Sequence, residues 1–514
     1  MHRFPPAEAE IGEELAAVRP GLVPRYAREL GGARASVLTR LWRALAHEPL
    51  PWITGRERVR DGLVLRLSDG RVLHGPAADP YATSPYVTAV RLGSTAYDDP
   101  ARLTTALAVP HGDAFAAELA HSVASVALSR AGQPPRTVPA PAGRPEQWPV
   151  TDWEWEQRVV DGHPFHPNCR ARPGFSVAEQ FAYGPEHRPV VELGLVAVPE
   201  GECLVSGAWP EELRDGGRLL IPAHPWQAEH VLGRPGGGAG LTAHPLMSLR
   251  TLALPDGLHV KTALSARLTS SVRDISVASV AASAALSAFA EELAGRTGGL
   301  LHLTRTLGAA TANSPDLAAL WRESPKRCTG PGEHVLPVAA LPVTGLPASP
   351  SWLAGFTRLA LSAGLRLLEL GVALEAHGQN LLVVLSDAGT PLRLVYRDLA
   401  DIRVSPARLA RHGITVPDLP ARNLTDDPTA LRRKLFGSLV AGALAGTAGS
   451  GPALRAAVET AVRDLPRTPD VRALTEEPLP AKALTLMRLS PGTPGDQWAE
   501  LPNPLVLVPP PSDQ

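Results

Sequence analysis

Near residue 380 the chain shows its clearest hydrophobic pattern. An uninterrupted apolar run, Leu381–Leu385, leads into a turn-forming stretch, Ser386–Pro391, and a second strand-like run, Leu392–Tyr396. Two strands joined this way are expected to pair antiparallel. Folding back makes Asn380 and Asp398 neighbours, and Glu375 needs only a short approach to join them. Upstream, the region from about Glu8 to Pro49 is expected to be helical, with Leu38, Leu41, Trp42 and Leu45 at helical spacing. A second amphipathic helix is expected from Asp113 to Arg130. Leu63–Leu67 and Val72–Leu73 flank Ser68-Asp69-Gly70-Arg71, a hairpin pattern. The apolar run before His224-Pro225-Trp226-Gln227 reads as a strand entering a helix. Ser248–Leu254 and Leu258–Ala263 read as strands around Pro255-Asp256-Gly257. A long helix is expected after Asp274, and another from Ser351 to Leu370, stopped by Gly371.

Length then sets the scale: 514 residues exceed one typical core, so two or three domains are expected. Pro- and Gly-rich stretches at Gly132–Pro149 and Pro325–Pro350 are the boundary candidates. A net charge of −1 leaves no basic footprint for nucleic acid and no polybasic membrane patch. The start, MHRFPPAEAEIGEEL, lacks a signal-peptide pattern, and Cys169, Cys203 and Cys328 form no CxxC spacing. A cytoplasmic protein is expected.

Candidate chemistry gathers in three places. Glu375, Asn380 and Asp398 offer two carboxylates and an amide oxygen at one hairpin end, a donor set suited to Mg²⁺. Read alone, the same end serves equally as a solvated turn. The loop Gly162–Ser176, GHPFHPNCRARPGFS, holds its backbone extended through His-Pro steps and is expected to present His163, His166, Arg170 and Arg172 outward. In Met247–Ser276, hairpin folding puts Lys261 across from Thr251, near Arg250. Ser271 with Asp274 matches a capping box, so Arg273 is expected at a helix start beside Lys261 and Arg250, a local anion trap.

Six strings arriving in order, GHPFHPNCRARPGFS, IPAHPWQ, SLRT, HVKTALSARLTSSVRDIS, EAHGQNLLV and YRDL, resemble the NRPS-independent siderophore (NIS) synthetases of the aerobactin-synthetase type, the IucA/IucC family. KALTLMRL with NPL extends the resemblance to Leu505, and TRLWRALAHEPL carries it weakly into the N-terminal third. The resemblance implies an α+β cupped-hand architecture. A mostly helical thumb (1–145) precedes β-rich fingers (146–345) and a palm (346–514) whose antiparallel sheet and helices are similar to protein kinases. It implies an AMP-forming acid–amine ligase using ATP and Mg²⁺. The acid would be of citrate, citrate-monoamide or succinyl-hydroxamate type, and its acyl-AMP would be captured by an amine or hydroxyl. Carried over by motif, His163, Ser248, Arg250, Thr251, Lys261 and Gln379 would contact ATP. Thr269, Ser270, Arg273 and His377 would bind the acid, and Glu375, Asn380 and Asp398 would hold Mg²⁺. Lys261, Arg273 and His377 would serve catalysis, His377 being the only nameable base. Partners would be small molecules, with neither nucleic acid nor membrane, and a homodimer is left open.

Two departures stand out: Arg170 replaces the family's usual Lys, and the chain is short for the family. A small-molecule kinase and a non-catalytic ferric-siderophore binding protein are the rival readings.

Overall fold

The computed structural model describes residues 6–134, 145, 148–233, 240–268 and 271–506. The fold is mixed α+β. At the N-terminus, helices Pro6–Val18, Val23–His47, Pro100–Leu107 and Gly112–Ala131 pack with a five-stranded antiparallel sheet. The expected hairpin is present, with Leu65 opposite Leu73. The strand before it, Ile53–Val59, was not legible because most of its length is exposed and polar, leaving no apolar period to read. Helix Val23–His47 is buried on every side from Ser36 to Ala46, including Thr39, Arg40 and Arg43.

The central region is a nine-stranded sheet with its own apolar core, from Val191 and Leu193 to Trp321. Strands Thr251–Ala253 and Leu258–Thr262 pair with Thr251 opposite Lys261, the expected register. Leu317–Glu323 lies on the other side of the Lys261 strand, with Arg322 opposite His259.

One expectation fails here. Residues Ser271–Arg273 form a strand paired with Leu264–Leu268, Leu264 facing Arg273. The following helix starts at Val277, capped by Ser276, whose hydroxyl accepts the Ser279 N–H. The capping box at Ser271 and Asp274 is therefore not formed, and Arg273 sits on a strand. Strand pairing uses the backbone groups that a helix start would leave open. The helix also breaks at Ala282 before resuming over Ser283–Gly295.

In the C-terminal region, Leu381–Leu385 and Pro391–Tyr396 pair as expected, Leu381 opposite Tyr396, and the Arg397 N–H donates to the Asn380 carbonyl (3.0 Å). This hairpin is the centre of a four-stranded sheet. Leu301–Leu303 adds in parallel on one side and His334–Pro337 antiparallel on the other. The Pro325–Pro350 stretch, expected as a boundary loop, thus supplies an edge strand. Helix Pro350–Leu370 packs behind the sheet and stops at Gly371 (φ 111°), where a Cβ would meet the Arg408 Cβ at 2.8 Å. Most of Gly132–Pro149, expected as a boundary, lies outside the described residues. Among the described residues no helix is long and apolar enough to cross a membrane.

Candidate active site

A cleft of about 1160 Å³ is lined by His163, Ser248, Arg250, Thr251, Lys261, Arg273, Glu375, His377, Gln379, Asn380 and Asp398. Every predicted site residue that is described therefore meets in one place. Thr269 and Ser270, expected on the acid, lie outside the described residues.

The central sheet supplies a cationic wall. Lys261, buried on its strand, donates to Asp398 Oδ2 at 2.6 Å, and Arg322 Nη2 lies 3.4 Å from Asp398 Oδ1. Burial alone would push the Asp398 carboxyl up, but Lys261, Arg322 and Arg250 outweigh it and hold the carboxyl well below the usual range. Burial, with repulsion from Arg322 and Arg250, lowers the Lys261 ammonium, while Asp398 opposes the shift. Asp398 remains the ionised anchor between two cations. Its φ of 73° lies in the left-handed region, which Asp tolerates better than most side chains. Arg250 donates through Nη1 to the carbonyls of Arg273 and Asp274, so it fixes the backbone that carries Arg273. Ser248 Oγ accepts the Thr251 N–H at 3.1 Å and shapes the turn, in which Leu249 has a φ of 62°.

The opposite wall is richer in carboxylates. Glu375 accepts from Lys482 at 2.7 Å and lies 3.5 Å from Lys434, which also reaches Asp401 at 2.6 Å. The Asn380 amide leans on the Glu375 carbonyl at 3.5 Å. For Mg²⁺ these are oxygen donors of the right hardness, but each carboxylate already faces an ammonium. Among the described residues no three His, Cys, Asp or Glu side chains gather into a metal cage. The donors fit an ion that completes its shell with phosphates and water, Mg²⁺'s usual habit.

The histidines share one local device. Backbone N–H groups of Phe165, Asn168, Trp226 and Gln379 donate to Nδ1 of His163, His166, His224 and His377, at 3.1, 3.0, 3.2 and 3.2 Å. With Nδ1 accepting, the neutral ring carries its proton on Nε2 and presents a donor. Burial pushes all four below their ordinary value, His166 and His224 to about 3. The base role expected of His377 conflicts with this geometry, because the ring's lone pair already receives the Gln379 N–H. His224 is a fully buried structural histidine.

The His-Pro loop departs from its expected outward display. His166, Arg170 and Arg172 are buried and His163 is exposed, although all four border the cleft. Arg170 and Arg172 both pair with Glu186, at 3.2 and 2.8 Å, and Arg170 also donates to the Val159 and Val160 carbonyls. Buried charge must be paired, and the single carboxylate of Glu186, outside the loop, draws both guanidiniums inward. Arg40 clamps the loop from the long helix through the Pro164 and Asp161 carbonyls, each at 3.1 Å. Sequence reasoning missed Arg322, Lys482 and Arg40. Arg322 shares a face with Leu320 and alternates with Trp321 on a strand that was never assigned, and Lys482 and Arg40 lie in KALTLMRL and TRLWRALAHEPL, strings noted for resemblance alone.

The fold is that of solved siderophore-synthetase structures. The chain superimposes with a TM-score of 0.72 on the petrobactin biosynthesis protein AsbB from Bacillus anthracis str. Sterne, at 18% identity over 98% of both chains. The ATP-bound aerobactin synthetase IucA from a hypervirulent pathotype of Klebsiella pneumoniae gives 0.69, at 19% identity over 92% of this chain and 99% of that one. Residues 151–343 match the IucA / IucC family, and residues 350–451 match the ferric iron reductase FhuF-like transporter family. A citryl-spermidine/3,4-dihydroxybenzoyl-citryl-spermidine:spermidine ligase of Bacillus anthracis is 26% identical over 48% of this chain and 50% of its own. An N(2)-citryl-N(6)-acetyl-N(6)-hydroxylysine synthase of Vibrio mimicus is 28% identical over 24% of this chain and 26% of its own. The chain spans about half the length of the first of these curated relatives, and less of the second. Over residues 151–343 the chain is thus similar to the IucA / IucC family, and its fold is that of the solved siderophore synthetases.

Proposed function

We propose that the cleft adenylates a carboxylic acid with ATP, releases pyrophosphate, and passes the acyl group to an amine or hydroxyl, as an AMP-forming acid–amine ligase. The observation that carries this is the Lys261–Asp398 contact, which joins the cationic wall to the hairpin inside one cleft. Lys261 and Arg250 would neutralise charge developing on the α-phosphate and the leaving pyrophosphate. Ser248, Thr251, Gln379 and the Nε2–H of His163 would orient the triphosphate. Arg273 would fork onto the acid's carboxylate, with Thr269, Ser270 and the Nε2–H of His377 alongside. The acid is then its own nucleophile, and these residues position it. Mg²⁺, held by Asp398 and Asn380 with Glu375 nearby, would supply further charge neutralisation on the phosphates.

We read the architecture as a cupped hand with thumb, fingers and kinase-like palm at 1–145, 146–345 and 346–514. The citryl-amines in the relatives' names, a substrate in one and a product in the other, make citrate or a citrate monoamide the favoured acid and a polyamine or hydroxylated diamine the favoured acceptor. A panel of acids, with and without amines, tests the reading: AMP and pyrophosphate support it, whereas ADP makes the protein a kinase. The FhuF-like match over 350–451 favours one other reading, ferric-siderophore handling. Tight binding of a ferric siderophore with no nucleotide product from any acid would establish that reading instead.

A further inference from the structure

The short helix Asp152–Glu156, DWEWE, has no part in the chemistry above. Its two outer carboxylates are four residues apart, hence on one helix face, and both are nearly excluded from solvent, at 7% and 2% exposure. Buried carboxylates persist only where partners are supplied. The partners here lie on separate segments. Asp152 Oδ2 is 3.0 Å from His259 Nε2 and accepts the Ser324 hydroxyl at 2.7 Å. Glu156 Oε1 is 2.7 Å from Arg397 Nη1, and its Oε2 accepts the Met247 N–H at 2.8 Å. The Glu156–Arg397 contact is a buried ion pair, and the Asp152–His259 contact lies at a similar separation.

The addresses of these partners matter. His259 is two residues before Lys261, on the same strand and face. Met247 immediately precedes Ser248. Arg397 immediately precedes Asp398 and donates to the Gln379 carbonyl through Nε and Nη2, at 3.1 and 2.9 Å. The helix is itself anchored on two sides by its tryptophans, which stand two residues apart and project in opposite directions. Trp155 packs edge-on against Trp148 in the C-terminal core, and Trp153 stacks on His244 of the central sheet at 3.8 Å.

We propose that Asp152 and Glu156 are positioning residues, a two-carboxylate staple that fixes the spacing between the Lys261 strand, the Ser248 turn and the Asp398 hairpin. Neither carboxylate lines the cleft; both act through His259, the Met247 backbone and Arg397. The catalytic consequence rests on the adenylation reading, while the mechanical link stands apart from it.

The test uses the full chain carrying Glu156→Gln, which keeps an acceptor for the Met247 N–H and removes the charge facing Arg397. Amide hydrogen exchange reads the link without any reaction. Faster exchange at both Met247–Thr251 and Gln379–Asp398 is expected, and faster exchange confined to 152–156 would overturn the staple. Turnover is then counted per ATP-binding site measured by calorimetry, which removes any contribution from unfolded protein. A fall of about tenfold to a hundredfold per bound site is expected, the scale of an ångström-sized misplacement. Turnover per site within about twofold of wild type would overturn the positioning role. Glu156→Gln/Arg397→Met guards against a purely structural effect. It removes the unpaired charge and should recover melting temperature but not turnover, and recovery of both together would also overturn the proposal. If the wild type forms no AMP with any acid, the adenylation reading fails and the exchange result alone decides the staple.

Discussion

The two histidine-bearing loops of the cleft, Gly162–Ser176 and Glu375–Asp398, begin alike and end differently. In each, a histidine accepts the N–H two residues on through Nδ1. Beyond that, the hairpin sends Asp398 into the cleft to meet Lys261, whereas the His-Pro loop commits Arg170 and Arg172 to Glu186 at the cleft's edge. Local turn chemistry is the same in both. What differs is where the nearest counter-ion stands, and in each case it lies outside the loop itself.

The largest expected effect breaks the hairpin's side of this comparison. Lys261→Ala removes the ammonium that joins the two walls and should lower acid-dependent AMP formation by about a hundredfold or more, the scale of losing one preorganised donor to developing charge. Arg273→Ala should lose acid-dependent turnover as well. Near-wild-type rates in either variant would remove that residue from the site.

The His-Pro loop should respond in the other currency, stability. Arg170→Ala leaves Glu186 short of a partner in a buried cluster and should cost about 3–5 kcal/mol in denaturant unfolding. Arg170→Lys, which gives the residue usual in the family, should still lose stability, because a compact ammonium does not span the positions that Nε, Nη1 and Nη2 of Arg170 reach on Val160, Glu186 and Val159. Its KM for ATP should stay within about threefold of wild type, as expected for a residue that does not touch substrate. A large KM change at unchanged stability would return Arg170 to the phosphate site.

The same contrast explains what was legible. The 381–396 hairpin, the Thr251–Lys261 register and the helix ending at Gly371 follow from period, turn residues and one glycine, all local. The Ser271 capping box was legible and wrong, because SVR had a pairing partner in LSARL that outranked a helix start. The strand His334–Pro337 was illegible because four residues between prolines and glycines carry no period. The residues that line the cleft were legible where they stood in strings that resemble the family. Arg322, Arg40 and the Asp152–Glu156 pair were not, since their meaning lies in partners distant in sequence.

The buried histidines give a pH test of intermediate size. His224 is held near 3 by burial, so the unfolded chain takes a proton first as pH falls below about 6.5. Stability from the neutral ring is therefore full above that value and is lost progressively toward pH 3. At pH 5 the loss from this one group is about 2 kcal/mol. His224→Asn keeps an acceptor for the Trp226 N–H and does not titrate. Its stability relative to wild type should rise as pH is lowered from 7 to 5, and a parallel pair of pH curves would count against a neutral buried His224.

The smallest effect is the sharpest for the two loops' shared device. If His377 offered its lone pair as a base, replacing it would cost about 10²–10⁴ in rate. The Gln379 N–H already occupies Nδ1, so the ring has only an Nε2–H to give. The amide nitrogen of His377→Gln can stand near that position and donate in the same direction. Turnover should fall by less than about tenfold, the worth of one imperfectly placed hydrogen bond. His377→Ala, with no donor, should fall further, chiefly through a raised KM for the acid. Equal, large kcat losses in both variants would mean that the ring moves a proton, and that the Gln379 contact opens when substrate binds.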